Sequence, residues 1–200
     1  MKLKIDNTAL VVIDMQNSFC KAGGGCSQVG FPTQHLFTAI TPCIALVKSA
    51  RKADVPIIFT RYVYRSDYSD GGILINDLMP GLRENNALKA GTKDVEIIEE
   101  LRPLDNDIII DKNRPSAFYS PEFQQNLKKL AIEDLVFCGV TTNCCVESTV
   151  RDASQRDYRS FVVEDAVAEL DIERHKVSLQ SMSMLFASLI NTQHVAKIWS

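Results

Sequence analysis

Two adjacent cysteines, Cys144 and Cys145, are the first candidates for chemistry in this sequence. The apolar run at 135–138 has the length of a strand, ends at Gly139, and is followed by a short polar turn that leads to the cysteines. The next apolar side chains recur at helical spacing. A thiol in the first turn of a helix meets unpaired N–H groups and the positive end of the helix dipole, which favour the thiolate. The pattern predicts a nucleophilic cysteine. The residues that mark the buried helical face are Val146, Thr149, Val150 and Ala153.

Two further predicted strands end in reactive side chains. Asp14 closes the apolar run at 9–13, and Lys112 closes the run at 108–110 after Asp111. Ligands of parallel sheets bind at the carboxyl ends of the strands, so we expect these groups to meet the thiol at one edge. There the carboxylate can take the thiol proton, and the lysine can keep the carboxylate ionised or favour the thiolate. The turn before the helix offers N–H groups to an oxyanion.

Other side chains give weaker signals. Histidine is the more usual base for a cysteine, but His35, His175 and His194 stand at no predicted strand end. We expect structural or surface roles for them. Cys20 and Cys26 lie in a glycine-containing loop without further ligands, so we predict no metal and no cofactor.

The elements that must position these groups alternate along the chain. Strands followed by helices predict an α/β fold, with a mainly parallel, doubly wound sheet and helices on both faces, in one domain over residues 1–200. The predicted strands are 8–13, 56–60, 107–112, 135–139, 159–163 and 194–198. Five helices are predicted. The first begins at Thr41-Pro42 with the buried face Cys43, Leu46, Val47 and Ala50, the second spans 95–101, and the third begins at Ser120-Pro121 with the buried face Phe123, Leu127 and Leu130. The fourth carries Cys145 in its first turn, and the fifth spans 173–190 with Met182, Leu185, Phe186 and Leu189 buried; irregular loops are expected at 17–33 and 64–94.

Composition excludes several classes of protein. Hydrophobic residues make up 46% and charged residues 24%, values typical of a soluble globular domain. The net charge of −3 gives no basic surface for nucleic acid. No apolar run approaches the ~18 residues of a membrane span, and no signal peptide is evident. Six cysteines without a signal peptide favour reduced thiols in a cytoplasmic protein. With nucleic acid and membranes disfavoured, we expect the partner to be a small-molecule substrate.

Three motifs resemble the isochorismatase-like cysteine hydrolases: residues 10–16 ending in Asp14-Met15-Gln16, Lys112 after a strand, and the run 139–149. The resemblance covers residues 8–190 and implies the three-layer fold of that family. It also implies an Asp–Lys–Cys triad that hydrolyses amide or ureido C–N bonds through a thioester. Asp14 would be the base, Lys112 its electrostatic partner and Cys145 the nucleophile, because Cys145 precedes a valine and lies four residues after Thr141.

The resemblance implies further features of the site. A cis peptide bond between Val140 and Thr141 would aim the N–H groups of Thr141 and Cys145 at the oxyanion. Relatives are homo-oligomers, so a dimer or tetramer is expected. Nicotinamidases of the family carry zinc beside an Asp-x-His element, and residues 60–67 contain no histidine.

Within the family, residues 63–65 and 145–149 look more like the N-carbamoylsarcosine and ureidoacrylate amidohydrolase branch. Arg65 would either meet a substrate carboxylate by a bidentate contact or lie at the surface or a subunit interface. The remaining candidate substrate contacts are Asn17, Phe19, Tyr64, Phe118 and Val140.

Three other functions are compatible with parts of the pattern. A thiol- or redox-sensing protein could use Cys144-Cys145, but adjacent cysteines form only strained disulfides, and that role needs neither Asp14 nor Lys112. An isochorismatase-type hydrolase cleaves a vinyl ether and needs no catalytic cysteine. A catalytically silent assembly module would not need an intact triad. The sequence leaves the substrate itself open.

Overall fold

A parallel six-stranded sheet forms the centre of the computed structural model, which describes residues 1–200. Its strands are β1 Thr8–Ile13, β2 Ile57–Tyr62, β3 Ile108–Lys112, β4 Asp134–Val140, β5 Arg159–Ala168 and β6 Ser188–Ile190. Their order across the sheet is β3-β2-β1-β4-β5-β6, and every neighbouring pair is parallel. β1 and β4 are buried along their whole length, as expected for apolar strands covered on both faces.

Helices connect the strands and cover both faces of the sheet. They are α1 Asn17–Cys20, α2 Gly25–Gln28, α3 Ile40–Lys52, α4 Gly81–Glu84, α5 Pro121–Lys129, α6 Glu147–Ser154, α7 Ile172–Leu185 and α8 Thr192–Ile198. Short 3₁₀ turns span Thr33–Ala39, Lys93–Val95, Glu99–Leu101 and Ala117–Tyr119, and π-helical turns span Leu74–Leu78 and Thr142–Val146.

Side chains that alternate along the strands fill two separate cores. Ala9, Val11 and Ile13 of β1 point into a core that includes residues of α5, α6 and α7. Leu10 and Val12 point to the other side, where residues of α3 and α8 pack. The predicted three-layer, doubly wound α/β fold is therefore confirmed.

The end of β1 lies very close to the end of β4. The two strands pair from Thr8 beside Asp134 to Ile13 beside Gly139. Gly139 has a φ of +110°, and a Cβ built on it would lie 2.1 Å from the carbonyl oxygen of Ile13. Only glycine fits this approach, which brings Asp14, the next residue after β1, beside the turn that follows β4.

Two predicted elements are wrong in type. The helix expected over 95–101 is two 3₁₀ turns separated by an extended segment. That segment bonds to the chain just after β1, where Asn17 N–H donates to Glu96 O over 2.9 Å and Ile98 N–H donates to Met15 O over 2.9 Å. The strand expected over 194–198 is α8, capped by the Asn191 side chain, which accepts the His194 N–H. Main-chain hydrogen bonds to a distant segment determine the structure of the first region, and a helix cap determines that of the second. In both, these interactions outweigh the preference of a short apolar pattern.

Other predicted boundaries move. The loop expected at 17–33 contains α1 and α2. α3 begins at Ile40, so Thr41 and Pro42 lie in its first turn rather than capping it, although the predicted buried face of α3 is confirmed. β2 continues to Tyr62 and β5 to Ala168, because pairing with a neighbouring strand extends them past polar residues.

The helix expected over 173–190 ends at Leu185, and the edge strand β6 follows it. Met182 is buried as expected, but Leu185 is 78% exposed and Leu189 belongs to β6. Leu130, expected on the buried face of α5, is 37% exposed because the helix ends at Lys129.

No helix in the structure combines the length and the apolar character that crossing a bilayer would require.

Candidate active site

A buried ion pair joins the ends of β1 and β3. The Lys112 Nζ lies 2.7 Å from Asp14 Oδ2, and neither side chain is exposed. The other carboxylate oxygen, Asp14 Oδ1, accepts a hydrogen bond from Thr60 Oγ1 over 2.6 Å. A charge removed from water is costly unless it is paired and hydrogen-bonded, so each partner holds the other in place. The sheet thus brings together Asp14 and Lys112, which are far apart in the chain.

The ammonium group of Lys112 also interacts with Tyr62. Burial acts to lower the pKa of Lys112, but the negative charge of Asp14 and the hydrogen bond to it act in the other direction, and the pKa of Lys112 lies above its usual value. Nζ lies 4.4 Å from the centre of the Tyr62 ring, in cation–π geometry. The lysine is therefore held cationic between the carboxylate and the aromatic ring.

Cys145 lies in the π-helical turn Thr142–Val146, directly after a cis peptide bond between Val140 and Thr141. The cis bond confirms the expectation for this turn. The Cys145 residue is 4% exposed, whereas Cys144 is only half-buried. The predicted triad side chains are thus adjacent at the carboxyl edge of the sheet, and they are closed off from solvent.

The surroundings of Cys145 favour its protonated thiol over the thiolate. A side-chain hydrogen bond to Cys144 and burial both raise the pKa of Cys145 well above its usual value, and the Lys112 ammonium lowers it by less. Cys145 lies in the buried π-helical turn that leads into α6, and not in the first turn of α6 itself as expected. A thiol with a raised pKa gains most as a nucleophile from a neighbouring base.

Residues of α7 and the end of β5 hold the cysteine turn in place. A structural or surface role was expected for His175, but no role was expected for Ser178 or Glu169. Thr142 Oγ1 lies 2.9 Å from His175 Nδ1, and Ser178 Oγ donates to Thr142 O over 3.3 Å. The Asn143 N–H donates to Glu169 Oε2 over 2.9 Å. Glu169 follows the true end of β5, so a correct prediction of that strand would have placed it at the active edge.

The structural role of Gln16 was also not expected from the sequence. Its Nε2 donates to Tyr62 O and to Val95 O, each over 3.0 Å, and its Oε1 accepts the Tyr62 N–H over 2.7 Å. This fully buried amide fixes the end of β2 against the chain after β1. Its position two residues after Asp14 is the feature of the sequence that could have indicated this role.

Tyr64 is buried beside the triad, while Arg65 is exposed. Tyr64 and Tyr62 share a hydrogen bond between their hydroxyl groups, 3.0 Å apart. Arg65 lines an open cleft of about 500 Å³ whose wall includes Tyr64 and, of the triad, only Lys112. The predicted contacts Tyr64 and Arg65 are thus neighbours in sequence with very different surroundings.

The other predicted substrate contacts lie in three places. Val140 is buried at the end of β4, next to the cis bond. Asn17 Nδ2 donates to Lys93 O over 2.8 Å, and Phe19 packs half-buried against both cores. The ring of Phe118 packs edge-on against Phe123, with a centroid distance of 4.9 Å, on the α5 side of the sheet.

The structure contains no cluster of three or more His, Cys, Asp or Glu side chains arranged to hold a metal ion.

Comparison with known proteins shows the family. The isochorismatase domain profile matches residues 8–194. The chain is 33% identical to the ureidoacrylate amidohydrolase RutB of Azorhizobium caulinodans, over 83% of this chain and 78% of the relative. It is 30% identical to the enzyme of the same name from Acinetobacter baylyi, over 96% of this chain and 84% of the relative.

Solved structures show the same fold. A cysteine hydrolase from Pseudomonas syringae pv. phaseolicola superposes with a TM-score of 0.89 at 28% identity, covering 99% of this chain and 95% of the other. The N-carbamoylsarcosine amidase of Thermoplasma acidophilum superposes with a TM-score of 0.75 at 25% identity, covering 95% of this chain and 97% of the other. The chain therefore belongs to the isochorismatase family and is an isochorismatase-like hydrolase.

Proposed function

We propose that this protein is a cysteine-dependent hydrolase that cleaves a C–N bond in a small amide, carbamoyl or ureido compound. The observation that carries the proposal is the buried Asp14–Lys112 pair, which lies at the same carboxyl edge of the sheet as the buried Cys145. A fully desolvated ion pair beside a buried thiol is a costly arrangement for a structural purpose, because apolar residues of similar volume would often stabilise the fold as well. The same three groups are those that acyl transfer through a thiol requires.

In the first half of the reaction, Asp14 accepts the proton of the Cys145 thiol as the sulfur attacks the substrate carbonyl carbon. Each oxygen of the Asp14 carboxylate already accepts one hydrogen bond and keeps a lone pair for this proton. The N–H groups of Thr141 and Cys145 stabilise the tetrahedral oxyanion. Asp14 then returns the proton to the leaving nitrogen, the C–N bond breaks, and an amine or ammonia departs from a thioester.

In the second half, Asp14 takes a proton from water, and the resulting hydroxide attacks the thioester carbon. The C–S bond breaks, the proton returns to the sulfur, and the resting thiol is restored. Lys112 stays charged throughout and stabilises first the carboxylate and then the developing thiolate, which lowers the barrier to proton transfer. The raised pKa of Cys145 favours this base-assisted route.

The relatives support the choice of bond. Two are called ureidoacrylate amidohydrolases and one structural neighbour is an N-carbamoylsarcosine amidase. Both names describe enzymes that act on a carbonyl carbon bonded to nitrogen. The substrate class proposed for this chain is therefore a carbamoyl or ureido compound, with simple amides as the broader class.

The assignment of the nucleophile can be tested with two alanine variants. Cys145→Ala should abolish ammonia release from a panel of amides, carbamoyl compounds and ureido compounds, a loss of at least about 10⁴-fold. Cys144→Ala removes a half-buried neighbouring thiol and should leave substantial activity. The measurement is enzyme-coupled detection of ammonia, with thermal unfolding to confirm that both variants fold.

The opposite pattern would refute the assignment of Cys145. Undiminished hydrolysis by Cys145→Ala would instead favour a reaction that needs no cysteine, such as ether cleavage. A wild-type protein that releases no ammonia from any compound, but loses and regains thiols reversibly under mild oxidation, would favour the thiol-sensing function.

A further inference from the structure

We propose that Tyr62 is a positioning residue of the reaction: the face of its ring holds the Lys112 ammonium group in place while Asp14 carries the proton of the thiol. The inference rests on the proposed function, because it concerns the step in which Asp14 acts as the base. It assigns a role to a side chain that takes no part in the proton transfers themselves.

Strand pairing places the ring of Tyr62 next to Lys112. The two residues are register partners at the ends of β2 and β3, so their side chains leave the same face of the sheet. Nζ lies 4.4 Å from the ring centroid, within the ~6 Å of a cation–π contact. Tyr62 is 4% exposed and the Lys112 side chain is fully buried, so water does not screen this contact.

Hydrogen bonds fix the ring of Tyr62 from both ends. The Tyr64 hydroxyl donates to the Tyr62 hydroxyl over 3.0 Å. At the main chain, the Gln16 side chain bonds to both the N–H and the carbonyl group of Tyr62. The rings of Tyr62 and Tyr64 also pack against each other, with their centroids 5.3 Å apart. The ring is therefore held in one orientation, with its face toward the ammonium group.

Three contacts of different chemistry hold the ammonium group of Lys112. It donates to Asp14 Oδ2 over 2.7 Å and to the carbonyl oxygen of Arg114 over 3.3 Å, and the ring of Tyr62 covers another side. Of these three, only Asp14 carries a negative charge. In the resting protein the carboxylate is therefore the main partner, and it partly cancels the attraction between the ring and the neighbouring cation.

Proton transfer changes this balance. When Asp14 takes the proton of Cys145, its carboxyl group becomes neutral, and the negative charge moves to the oxyanion of the substrate. The ring then faces a buried cation without its paired carboxylate, an arrangement that is costly unless other groups stabilise the cation. The attraction of the ring is greater at this point than at rest. Because only interactions that strengthen on the way to the transition state raise kcat, this contact should contribute to the rate.

An aromatic ring suits this position because it does not compete for the proton. A second carboxylate beside Lys112 would attract the ammonium group more strongly, but two neighbouring carboxylates raise the pKa of one of them. Such a pair would share the proton of the thiol. Burial also raises the pKa of the Tyr62 hydroxyl well above its usual value, so the phenol stays neutral. Asp14 therefore keeps the role of base.

The first experiment removes the ring or only its hydroxyl group. Tyr62→Leu removes the π-system and should lower kcat by about 30-fold, with KM within about threefold of wild type, because the contact acts in the proton-transfer step. Tyr62→Phe keeps the ring and should restore kcat to within about threefold of wild type. The assay is ammonia release from the best substrate in a panel of amides, carbamoyl compounds and ureido compounds.

A fluorinated series separates the electrostatics of the ring from its size. Phenylalanine and its mono-, di- and trifluorinated forms are placed at position 62, since fluorine withdraws electrons from the ring face and changes the shape little. The logarithm of kcat should fall with each fluorine, to about tenfold below the phenylalanine form in the trifluorinated protein. This series keeps the test valid if Tyr62→Leu fails to fold.

The matched control is the same fluorinated series at Phe59. This ring belongs to the same strand and is fully buried, but it points into the opposite core. Fluorination there should leave kcat unchanged.

Urea unfolding tests the contact without turnover. Asp14→Asn mimics the protonated carboxyl group and leaves the ammonium group without its paired charge. In that variant, at a mildly acidic pH that keeps the lysine charged, full fluorination at position 62 should lower the folding equilibrium constant by about tenfold. The change should stay below about threefold in the wild-type background, and it should vanish in the double variant Asp14→Asn, Lys112→Met.

Three results would overturn the proposal. Tyr62→Phe could lose as much kcat as Tyr62→Leu, which would assign the effect to the hydroxyl group. The value of kcat could be independent of the number of fluorines, or fluorination could lower stability as steeply in the wild-type background as in Asp14→Asn. The proposed hydrolysis fails separately if the wild-type protein releases no ammonia from any compound, and the unfolding series would then still decide whether the ring stabilises the unpaired ammonium group.

Discussion

At the scale of single residues, the site depends on a buried pair of opposite charges. Asp14 and Lys112 have no exposed side-chain surface, and Thr60 satisfies the remaining carboxylate oxygen. Removing one partner leaves an unpaired charge in the core, which costs far more than removing both. Activity and stability are therefore expected to respond differently to single and double substitutions, and that difference separates the proposed catalytic role of the pair from its structural role.

We predict that Asp14→Asn and Lys112→Met each lower the free energy of unfolding by about 3–5 kcal/mol, because each leaves one buried charge or polar group without its partner. The double variant should recover most of that stability, since no buried charge remains. Hydrolysis should stay at least about 10³-fold below wild type in all three proteins, because the base is absent or unsupported. Urea unfolding and ammonia release are the two measurements.

The same variants have an outcome that would contradict the catalytic role. A double variant that regains activity together with stability would mean that the pair acts only as a structural support for Cys145.

At the scale of elements, the active edge depends on how closely β1 and β4 approach. Gly139 has a positive φ, and any side chain on it would collide with the main chain of Ile13. The turn after β4 is held from the other side by α7 and Glu169. The geometry of the proposed triad is therefore set by strand pairing and by a helix that carries none of its three residues.

We predict that Gly139→Ala is strongly destabilising and lowers activity, because the new Cβ would force β4 away from Asp14. Gly30 provides a matched control: its φ of +103° is similar, but a Cβ there would meet nothing within 4 Å. Gly30→Ala should cost about 1–3 kcal/mol from backbone strain alone, and Gly139→Ala should cost clearly more.

Chemical denaturation of both glycine variants measures the difference, and kcat shows whether the site is displaced. Equal losses of stability would indicate that the close approach of the strands contributes nothing beyond the positive φ.

At the scale of the whole molecule, the fold buries several ionisable groups in neutral form. Burial raises the pKa of the Cys20 and Cys43 thiols and of the Tyr62 hydroxyl well above their usual values. Burial also raises the pKa of Cys26 to about 12, partly offset by a hydrogen bond with Ser18. The native state therefore keeps protons that the unfolded chain would lose at alkaline pH.

The expected assembly into a homo-oligomer stays a prediction.

We predict a loss of stability under alkaline conditions. Groups with a raised pKa in the folded state contribute fully below their unfolded pKa, which is 9.0 for the thiols. Above that value the unfolded state loses protons first, and stability falls by up to about 1.4 kcal/mol per pH unit for each thiol. Urea midpoints measured from about pH 7 to about pH 11 under reducing conditions should decline above about pH 9.

The control for this pH dependence is Cys20→Ala, which removes one buried thiol. It should show a shallower decline than wild type above about pH 9, whatever its stability at neutral pH. Parallel curves for the two proteins would mean that the buried thiols do not cause the alkaline loss.

The sequence by itself determined the α/β class, most strands and the three chemical groups. Continuous apolar runs of strand length that end in a charge or a glycine, such as those ending at Asp14 and Gly139, favour strands buried on both faces, and the carboxyl ends of parallel strands share one edge. Short segments were misjudged where the local pattern was weak. Residues 95–101 and 194–198 took their structure from main-chain pairing and from a cap.

Only the tertiary structure decided what surrounds the thiol. It placed His175 and Glu169 on the cysteine turn and Gln16 on the end of β2, contacts between residues that lie far apart in the chain. It buried Cys145 enough to raise its pKa, although the position before a helix alone favours the thiolate. It also left Arg65 exposed, while its neighbour Tyr64 is buried. Burial and long-range contacts follow from packing, and no local pattern of residue types encodes them.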